Sequence, residues 1–509
     1  MKKILILGVN GFIGHHLSRR IIDTTDWEVF GMDMQNERVS TLLRIYNSSQ
    51  KPQTSKKNPV IVIPGVLGSR LVNQKNNEVA WPKFTGATND LLALPITSTD
   101  FRENRDDLVA TEIIERAKFF RLAPEIGFYD SLLTSLEQAG GYRHGDWDNP
   151  PADGDQDTYY VFAYDWRRDN VEAAQLLCQK IIKLKARLNR PDLRFDIVAH
   201  SMGGLVARYC AMYGDRDVLA SPTPQPSWEG AKHLARLLLF GTPNSGSMDA
   251  LSTILNGYSV LGTNLPQLKL LDALDRDAIF TSPAIYQLLP HNGAPNFYDG
   301  NLVPLEIDIF ALENWRKYGW SIAFDESFRL REQKRFQQAR RKLRKEKSPE
   351  AETRLGEMEA VMKKMFAARE PFLQAVLDRA ARFQRALDVV VQTPDSLQYF
   401  LFGGDCEPTL AAAVIVEIKG KPETFFRASR TLGKSEVRNR AYDLMFAPGD
   451  NRVTRQSLYG LHLDQISGQL TSILPPARQV IFHCESHGDL PLNATMQDNL
   501  LNVLLGNKY

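Results

Sequence analysis

Residues 199–204, Ala-His-Ser-Met-Gly-Gly, place a serine among small residues in a setting suited to chemistry. The apolar run that ends at Val198 predicts a strand before this segment, and residues 205–208 begin a helical pattern after it. A serine on a tight strand-to-helix turn presents its hydroxyl above the edge of a sheet, and small residues flank it because the turn brings two arms of the chain together. We therefore predict that Ser201 is a nucleophile. The alternative is a serine in an ordinary strand–helix turn.

A serine hydroxyl becomes a good nucleophile only when a base removes its proton. Among the nine histidines, His487 follows the last predicted strand in a loop and precedes a helical pattern at about 494–506. This strand–loop–helix setting is expected of the base, whereas His483 falls inside the strand and is expected to be a packed residue. We predict that His487 is the base. The alternative for His487 is a solvated loop histidine.

A carboxylate is required to fix the tautomer of the base and to stabilise its imidazolium form. In chain order the acid is expected between the serine and the histidine. Asp450 lies on a turn before a probable helix, and Asp405 comes directly after a strand. Either residue fits, and spacing alone leaves the choice between them open.

The oxyanion of the reaction needs two backbone N–H groups directed at the developing negative charge. We predict that one belongs to Met202, the residue after the nucleophile. The other is expected in the loop after the first strand of the core, residues 64–68, where glycines let the backbone approach a substrate. We nominate the N–H of Val66. The alternative for this loop is a purely structural glycine turn.

From Pro59 onward, short apolar strands alternate with helical patterns, and these elements must position the groups above. Such alternation predicts an α/β fold with a mostly parallel sheet covered by helices. The strand candidates are 59–64, 158–164, 193–199, 235–241, 397–404 and 477–483. We expect a core formed by residues 59–304 and 396–509, with a helical cap insertion at 305–395 between the two parts.

Several blocks of the sequence resemble the lecithin:cholesterol acyltransferase family of α/β-hydrolases. They run in the order of that family over residues 59–509. The blocks are PVIVIPGVLGSRL (59–71), VAWPKF (79–84), FAYDWRRD (162–169), AHSMGGLVARY (199–209), LLLFGTPNSGS (237–247), SPAIYQLLP (282–290) and PGDNRVT (448–454).

This resemblance implies an α/β-hydrolase fold and a serine-dependent lipid esterase, phospholipase or O-acyltransferase that works through an acyl-enzyme. It implies that Ser201 is the nucleophile, Asp450 the acid and His487 the base, and so favours Asp450 over Asp405. Trp81 falls where the family carries an aromatic residue near the acyl chain. The expected partner is a lipid ester substrate, and the chemistry requires neither a metal nor an organic cofactor.

Residues 1–45 resemble the opening of the NAD-dependent epimerase/dehydratase family. Gly8, Gly11 and Gly14 follow an apolar strand and Asp33 ends a second one, as in a site for a pyrophosphate and a ribose hydroxyl. The chain contains no Tyr-x-x-x-Lys pair and lacks the other half of the nucleotide crevice. We therefore expect a truncated Rossmann-like β-α-β fragment that binds no cofactor, followed by a polar linker at 46–58.

Two other functions remain open from the sequence. A nucleotide-sugar epimerase or dehydrogenase is favoured only by the glycines of the first segment. A non-catalytic binding protein with a decayed hydrolase core is the other alternative.

Charge excludes one class of partner and suggests another. The 62 Lys and Arg residues nearly balance the 60 Asp and Glu residues, so no nucleic-acid partner is expected. Ten Lys or Arg against two Glu lie in residues 328–347, where apolar residues recur at roughly helical spacing. A basic amphipathic helix can lie on an anionic bilayer. The alternative for this segment is a helical cap whose charges are simply solvated.

The four cysteines are far apart and form no C-x-x-C pair. This pattern favours reduced thiols, as in cytosolic proteins, over a disulfide framework or a zinc ribbon. The apolar run at the N-terminus breaks at residue 8 without a cleavage-site pattern, so we expect no signal peptide. Together these features predict a cytoplasmic protein, with peripheral membrane contact through residues 328–347.

Overall fold

The computed structural model describes most of the chain from Lys57 onward and short stretches before it. The described residues are 3–7, 21, 28–32, 57–82, 92–100, 102–117, 126–259, 272–274, 276–291, 293–294, 296–346, 349–464 and 468–505. Among the helices in these ranges, none combines the length and the apolar character needed to cross a bilayer.

Seven parallel strands form the central sheet. In chain order they are β1 (Val60–Ile63), β2 (Arg143–His144), β3 (Thr158–Val161), β4 (Phe195–His200), β5 (Leu234–Phe240), β6 (Gln398–Gly404) and β7 (Gln479–His483). Their order across the sheet is β7-β6-β5-β4-β1-β3-β2, and every neighbouring pair is parallel. All six predicted strands belong to this sheet, and only the short edge strand β2 was not foreseen. The predicted α/β-hydrolase fold is confirmed.

Strand β1 shows why continuous apolar runs, rather than alternating ones, mark these strands. Successive side chains of a strand point to opposite faces of the sheet. Ile61 and Ile63 belong to the buried cluster on one face, and Val60 and Val62 belong to the cluster on the other. Because both faces of a parallel sheet are covered, each residue of the strand must be apolar.

Helices cover both faces of the sheet: residues of α2 and α3 belong to the buried cluster on one face, and residues of α1 and α12 to the cluster on the other. In chain order the helices of the described residues are α1 (Asp130–Gln138), α2 (Asn170–Arg187), α3 (Met202–Tyr213), α4 (Met248–Asn256), α5 (Arg276–Phe280), α6 (Pro283–Tyr286), α7 (Leu312–Tyr318), α8 (Glu326–Glu346), α9 (Pro349–Leu387), α10 (Ser435–Met445), α11 (Arg455–Leu458) and α12 (Ala494–Leu504), with short 3-10 turns at Gly230–His233 and Arg430–Leu432. The Asp169 carboxylate accepts from the N–H of Val171 and so caps α2. Such a cap satisfies an N–H group that has no partner within the helix.

Several two- and three-stranded sheets accompany the central sheet. They pair Ser69–Asn73 with Val79–Trp81 and Leu108–Ile113, Arg116–Ala117 with Ile126–Gly127, Tyr258–Ser259 with Asp272–Leu274, Ala413–Ile418 with Phe297–Asp299 and Lys421–Phe425, Glu407–Leu410 with Phe446–Gly449, and Leu461–Leu463 with Leu470–Ser472. Two of these strands flank Asp450 in sequence: Phe446–Gly449 directly precedes it, and Leu461–Leu463 follows about ten residues later.

Helices α7, α8 and α9 lie in the stretch predicted to be a helical insertion. Pro349 is the first residue of α9, where its missing N–H costs no hydrogen bond. In α8 the ring of Phe328 is buried, and the guanidinium of Arg369 lies 4.5 Å from its centre. This apolar residue of the basic segment therefore packs on the protein itself. Contact of residues 328–347 with an anionic membrane stays a prediction.

The N-terminal fragment is described only in its two strands. Lys3–Leu7 pairs in parallel with Glu28–Met32 in a two-stranded sheet of its own. Parallel pairing of these strands fits the predicted β-α-β unit. The candidate nucleotide-binding residues Gly8, Gly11, Gly14 and Asp33 lie outside the described residues, as does most of the predicted linker.

The expectation of reduced cysteines is wrong. Cys178 is bonded to Cys210, which joins α2 to α3, and Cys406 is bonded to Cys484, which joins the segments that leave β6 and β7. The partners are 32 and 78 residues apart in sequence. No local spacing signals such pairs, because they become neighbours only when the sheet and its helices have formed.

Replacing both Cys406 and Cys484 by alanine is expected to lower the free energy of unfolding by about 2–4 kcal/mol, because the disulfide reduces the conformational entropy of the unfolded chain. Urea denaturation of protein folded under oxidising conditions measures this change. Four titratable thiols in the denatured, unreduced wild-type protein would contradict the disulfides.

Candidate active site

Ser201 occupies a strained turn between β4 and α3. Its backbone has φ 54° and ψ −127°, a combination that non-glycine residues rarely adopt. Space around the turn is minimal: a Cβ atom on Gly65 would lie 2.7 Å from the Cβ of Ser201, and one on Gly203 would lie 2.5 Å from the carbonyl oxygen of Pro64. This is the geometry in which a serine hydroxyl is exposed at the end of a sheet strand.

The side chains of Ser201, His487 and Asp450 form one hydrogen-bonded line. The Nε2 atom of His487 is 2.9 Å from the Oγ of Ser201, and its Nδ1 is 2.8 Å from Oδ2 of Asp450. Ser201 and His487 follow strands β4 and β7 of the parallel sheet, whose carboxyl ends lie at the edge where α/β sheets place their sites. Asp450 follows Phe446–Gly449, a strand of a separate two-stranded sheet. The structure therefore brings together three residues that span almost three hundred positions of sequence.

The backbone around Asp450 orients its carboxylate. The Oδ1 atom accepts the N–H groups of Arg452 at 3.0 Å and Val453 at 2.7 Å, which leaves Oδ2 for His487. The N–H of His487 also donates to the carbonyl of Asp450 at 2.8 Å. Asn451, between Asp450 and Arg452, has φ 73°, a left-handed conformation that asparagine tolerates better than most residues. Asn451 and Arg452 are thus part of the turn that directs the Asp450 carboxylate toward His487.

Asp405, the other candidate acid, is placed differently. It lies beyond β6 next to the disulfide of Cys406, and among the described residues it makes no hydrogen bond with His487. The carboxylate that contacts the imidazole is that of Asp450, which is almost fully buried. Of the two candidate acids, Asp450 is therefore the one whose carboxylate contacts His487, and its role as the acid stays a prediction.

Gly241 is a requirement of this site that the sequence analysis missed. Its φ is +53°, and a Cβ atom there would lie 2.9 Å from Nδ1 of His487 and 3.0 Å from Oδ2 of Asp450. A side chain at this position would occupy the space of the histidine–carboxylate hydrogen bond. The available signal was a glycine directly after the apolar strand β5, in the same position relative to its strand as Ser201 is to β4.

His200 and Tyr129 were also missed, and they connect two loops of the site. Burial lowers the pKa of His200 to about 3, with the charge of the neighbouring His487 as a smaller cause, so its imidazole is neutral. Its Nε2 is 3.0 Å from the carbonyl oxygen of His487 and must carry the hydrogen, because a carbonyl only accepts. Its Nδ1 therefore accepts the O–H of Tyr129 at 2.8 Å.

The same chain of hydrogen bonds continues into the loop that carries Val66. The N–H of Gly65 donates to the hydroxyl oxygen of Tyr129 at 2.9 Å. On the far side of the loop the indole N–H of Trp81 donates to the carbonyl of Leu67 at 2.8 Å. Leu67 itself has φ 64°. These two hydrogen bonds hold the loop backbone at Gly65 and Leu67, on either side of Val66.

The two predicted oxyanion donors lie next to Ser201, but Trp81 lies elsewhere. Met202 is the first residue of α3, and the first N–H groups of a helix have no partner within it. Val66 lines the cavity at Ser201. Trp81 is buried behind the loop with its ring edge-on to that of Trp166, outside the described walls of the cavity. Its contact with an acyl chain stays a prediction.

A cavity of about 450 Å³ opens beside Ser201 and His487. Its apolar lining residues are Leu67, Phe128, Pro243, Ala250, Leu274, Ile285, Leu288 and Val453. Among its polar lining residues, Arg452 and Asp249 form an ion pair of 2.7 Å, and the Arg452 guanidinium lies 4.7 Å from the centre of the Tyr258 ring. The cavity beside the serine is therefore lined by both apolar and charged side chains.

A model of the family described as lecithin:cholesterol acyltransferase matches residues 154–341 of this chain. The match covers just over a third of the chain. It includes the turn of Ser201 and ends before Asp450 and His487. The similarity therefore supports the resemblance to this family of α/β-hydrolases in the part that carries the serine. It begins after the first 45 residues and gives the epimerase-like resemblance no support.

Two solved structures match most of the chain at low similarity. The crystal structure of the Tle4–Tli4 complex has 13% sequence identity and a TM-score of 0.44, with 89% of this chain and 99% of that chain covered. The mature form of Bacillus licheniformis lipase BlEst2 has 12% identity and a TM-score of 0.26, with 90% and 94% covered.

The low pKa of His200 predicts how stability depends on pH. An unfolded histidine has a pKa near 6.5, so between about pH 6.5 and pH 3 the unfolded chain binds a proton that the folded one does not. Stability attributable to this residue is therefore complete above pH 6.5 and is lost as the pH falls, by up to about 1.4 kcal/mol per pH unit.

Urea unfolding of wild type and His200→Gln between pH 7 and pH 4.5 measures this effect. The wild type is expected to lose stability more steeply than the variant. His144→Gln, at an exposed histidine on strand β2, is the matched control and should follow the wild type. Equal slopes for wild type and His200→Gln would show that the buried imidazole does not resist protonation.

Proposed function

We propose that this protein is a serine-dependent lipid esterase or acyltransferase that works through an acyl-enzyme. The observation that carries the proposal is the hydrogen-bonded line from Ser201 through His487 to Asp450 at the end of a partly apolar cavity. The similarity of residues 154–341 to the lecithin:cholesterol acyltransferase family supports the same class of reaction.

Acylation begins when Oγ of Ser201 attacks the carbonyl carbon of the ester. Nε2 of His487 accepts the hydroxyl proton as the new C–O bond forms. The oxygen of the former carbonyl becomes an oxyanion, which the N–H groups of Val66 and Met202 stabilise. Asp450 stays ionised: it keeps the hydrogen on Nδ1 of His487 and stabilises the imidazolium.

The tetrahedral intermediate then breaks its bond to the leaving alcohol, which takes the proton from Nε2 of His487. The product is released and the acyl group remains on Ser201. In the second half of the reaction water or another alcohol loses its proton to Nε2 of His487 and attacks the acyl carbon. The new tetrahedral intermediate then breaks its bond to Oγ of Ser201, which takes that proton back from His487, and the acid or the new ester is released. Hydrolysis and transfer thus use the same groups and differ only in the acceptor.

His200 and Tyr129 act as positioning residues in this proposal. His200 holds the backbone carbonyl of His487, and Tyr129 holds the N–H of Gly65 in the oxyanion loop. Because the imidazole of His200 is neutral, it adds no positive charge beside the base. The two loops that must act together on one carbonyl are therefore connected by a single chain of hydrogen bonds.

The cavity favours a substrate with an apolar chain. The acyl group would occupy the wall formed around Leu274, Ile285 and Leu288, with its carbonyl at Ser201. The polar wall of Asp249 and Arg452 would face the more polar part of the ester. This arrangement suits a lipid ester better than a small polar one.

Hydrolysis of a phospholipid and acyl transfer to an added alcohol test the proposal. Wild type is expected to release fatty acid or transfer it, and Ser201→Ala is expected to lose at least about a thousandfold in rate. Asp450→Asn should lose about 10⁴-fold, because it no longer fixes the histidine tautomer. Ser221→Ala, at an exposed serine in the loop after α3, is the control and should retain activity.

Folded wild type without turnover of any ester would reject the enzymatic proposal and leave a binding protein. Activity that survives Ser201→Ala would reject the serine mechanism.

A further inference from the structure

Three side chains from distant segments converge away from the serine. His291 follows α6, Asp388 follows the last residue of α9, and His462 lies in the strand Leu461–Leu463. Their ligand atoms all lie within 4.8 Å of one another. Nε2 of His291 is 3.2 Å from Oδ1 of Asp388, and Nε2 of His462 is 3.9 Å from Oδ2 of the same carboxylate. None of the three lines the cavity at Ser201.

The backbone sets the tautomer of His291. Its Nδ1 is 3.2 Å from the carbonyl oxygen of Leu289, which can only accept, so Nδ1 carries the hydrogen. In the neutral imidazole, Nε2 then directs its lone pair at the carboxylate of Asp388. Two lone pairs that face each other at 3.2 Å repel unless a proton or a cation lies between them.

His462 adds a second nitrogen to this cluster. Its Nε2 is buried and has no hydrogen-bond partner within the described part of the chain. A buried polar atom without a partner is costly and calls for a ligand to satisfy it. The rings of His462 and His291 meet edge to face with centres 5.3 Å apart. Nε2 of His291 contacts Oδ1 of Asp388, whereas Nε2 of His462 lies nearest to Oδ2 of the same carboxylate.

We propose that His291, Asp388 and His462 bind a zinc ion, with the fourth position taken by water. Zinc accepts imidazole nitrogen and carboxylate oxygen at about 2.0–2.2 Å in tetrahedral geometry, which places neighbouring ligand atoms about 3.3–3.5 Å apart. The observed separations of 3.2 and 3.9 Å lie on both sides of that range. The hydrogen bond from Nδ1 of His291 to a carbonyl is the outer contact that metal-bound histidines commonly make.

The ion would join three separate elements. Asp388 directly follows the long helix α9, and Arg208 of α3 donates to the carbonyl of Leu387, the last residue of that helix. His462 lies in the strand that follows the turn of Asp450. Zinc at this point would fasten the end of the helical insertion to the segment that carries the acid. Its role would be structural, since it has no contact with the cavity.

Metal-free protein, prepared with a chelator and titrated with zinc chloride, tests the proposal. Wild type is expected to bind one zinc ion per chain with a rise in Tm. His462→Gln, His291→Gln and Asp388→Asn should each weaken zinc affinity at least about tenfold. His144→Gln is the matched control, and Ser201→Ala should bind zinc as the wild type does, so this result is separable from the proposed esterase activity.

Cobalt substitution gives a test that needs no variant. The metal-free wild type with one equivalent of Co²⁺ is expected to develop the visible absorption of a tetrahedral site, and zinc should displace it. No saturable binding to wild type would overturn the proposal. Unchanged affinity in folded ligand variants would overturn it equally.

Discussion

The hydrogen bond between Oδ2 of Asp450 and Nδ1 of His487 is the interaction on which the rest of the site depends. A buried carboxylate is costly unless hydrogen bonds satisfy it, and here three are present: two from the backbone of residues 452 and 453 and one from the imidazole. This arrangement leaves the histidine one tautomer, with the lone pair of Nε2 directed at Ser201. Gly241 keeps the necessary space, since any side chain there would meet both partners.

The parallel sheet positions most of the residues around this hydrogen bond. Ser201, Gly241 and the loop of His487 follow strands β4, β5 and β7 of one parallel sheet. Because the carboxyl ends of parallel strands lie at the same edge, these residues come together there. His200 contacts the loop of His487 and, through Tyr129, the loop of residues 64–68, and so fixes these two loops relative to each other. In the proposed mechanism this preorganisation places the N–H donors before negative charge develops.

The sheet could be predicted because its strands are continuous apolar runs. Ser201 and His487 could be nominated because each lies between a predicted strand and a predicted helix. Contacts between residues that are distant in sequence could not be predicted, because they arise only in the folded protein. Spacing could not separate Asp450 from Asp405, because both follow strands and only one is turned toward the imidazole. The pairing of Cys178 with Cys210 escaped for the same reason. The cluster of His291, Asp388 and His462 has no recognisable spacing, since its members come from three separate elements.

Labelling with a fluorophosphonate, followed by mass spectrometry of the labelled peptide, tests the central claim most directly. A hydroxyl that is deprotonated by a hydrogen-bonded imidazole reacts with this reagent, and ordinary serines do not. We predict one adduct per chain, located on Ser201, with labelling abolished in Ser201→Ala and strongly slowed in His487→Gln. An unlabelled wild-type protein, or an adduct that forms as fast in folded His487→Gln, would show that the line of three side chains does not activate the serine.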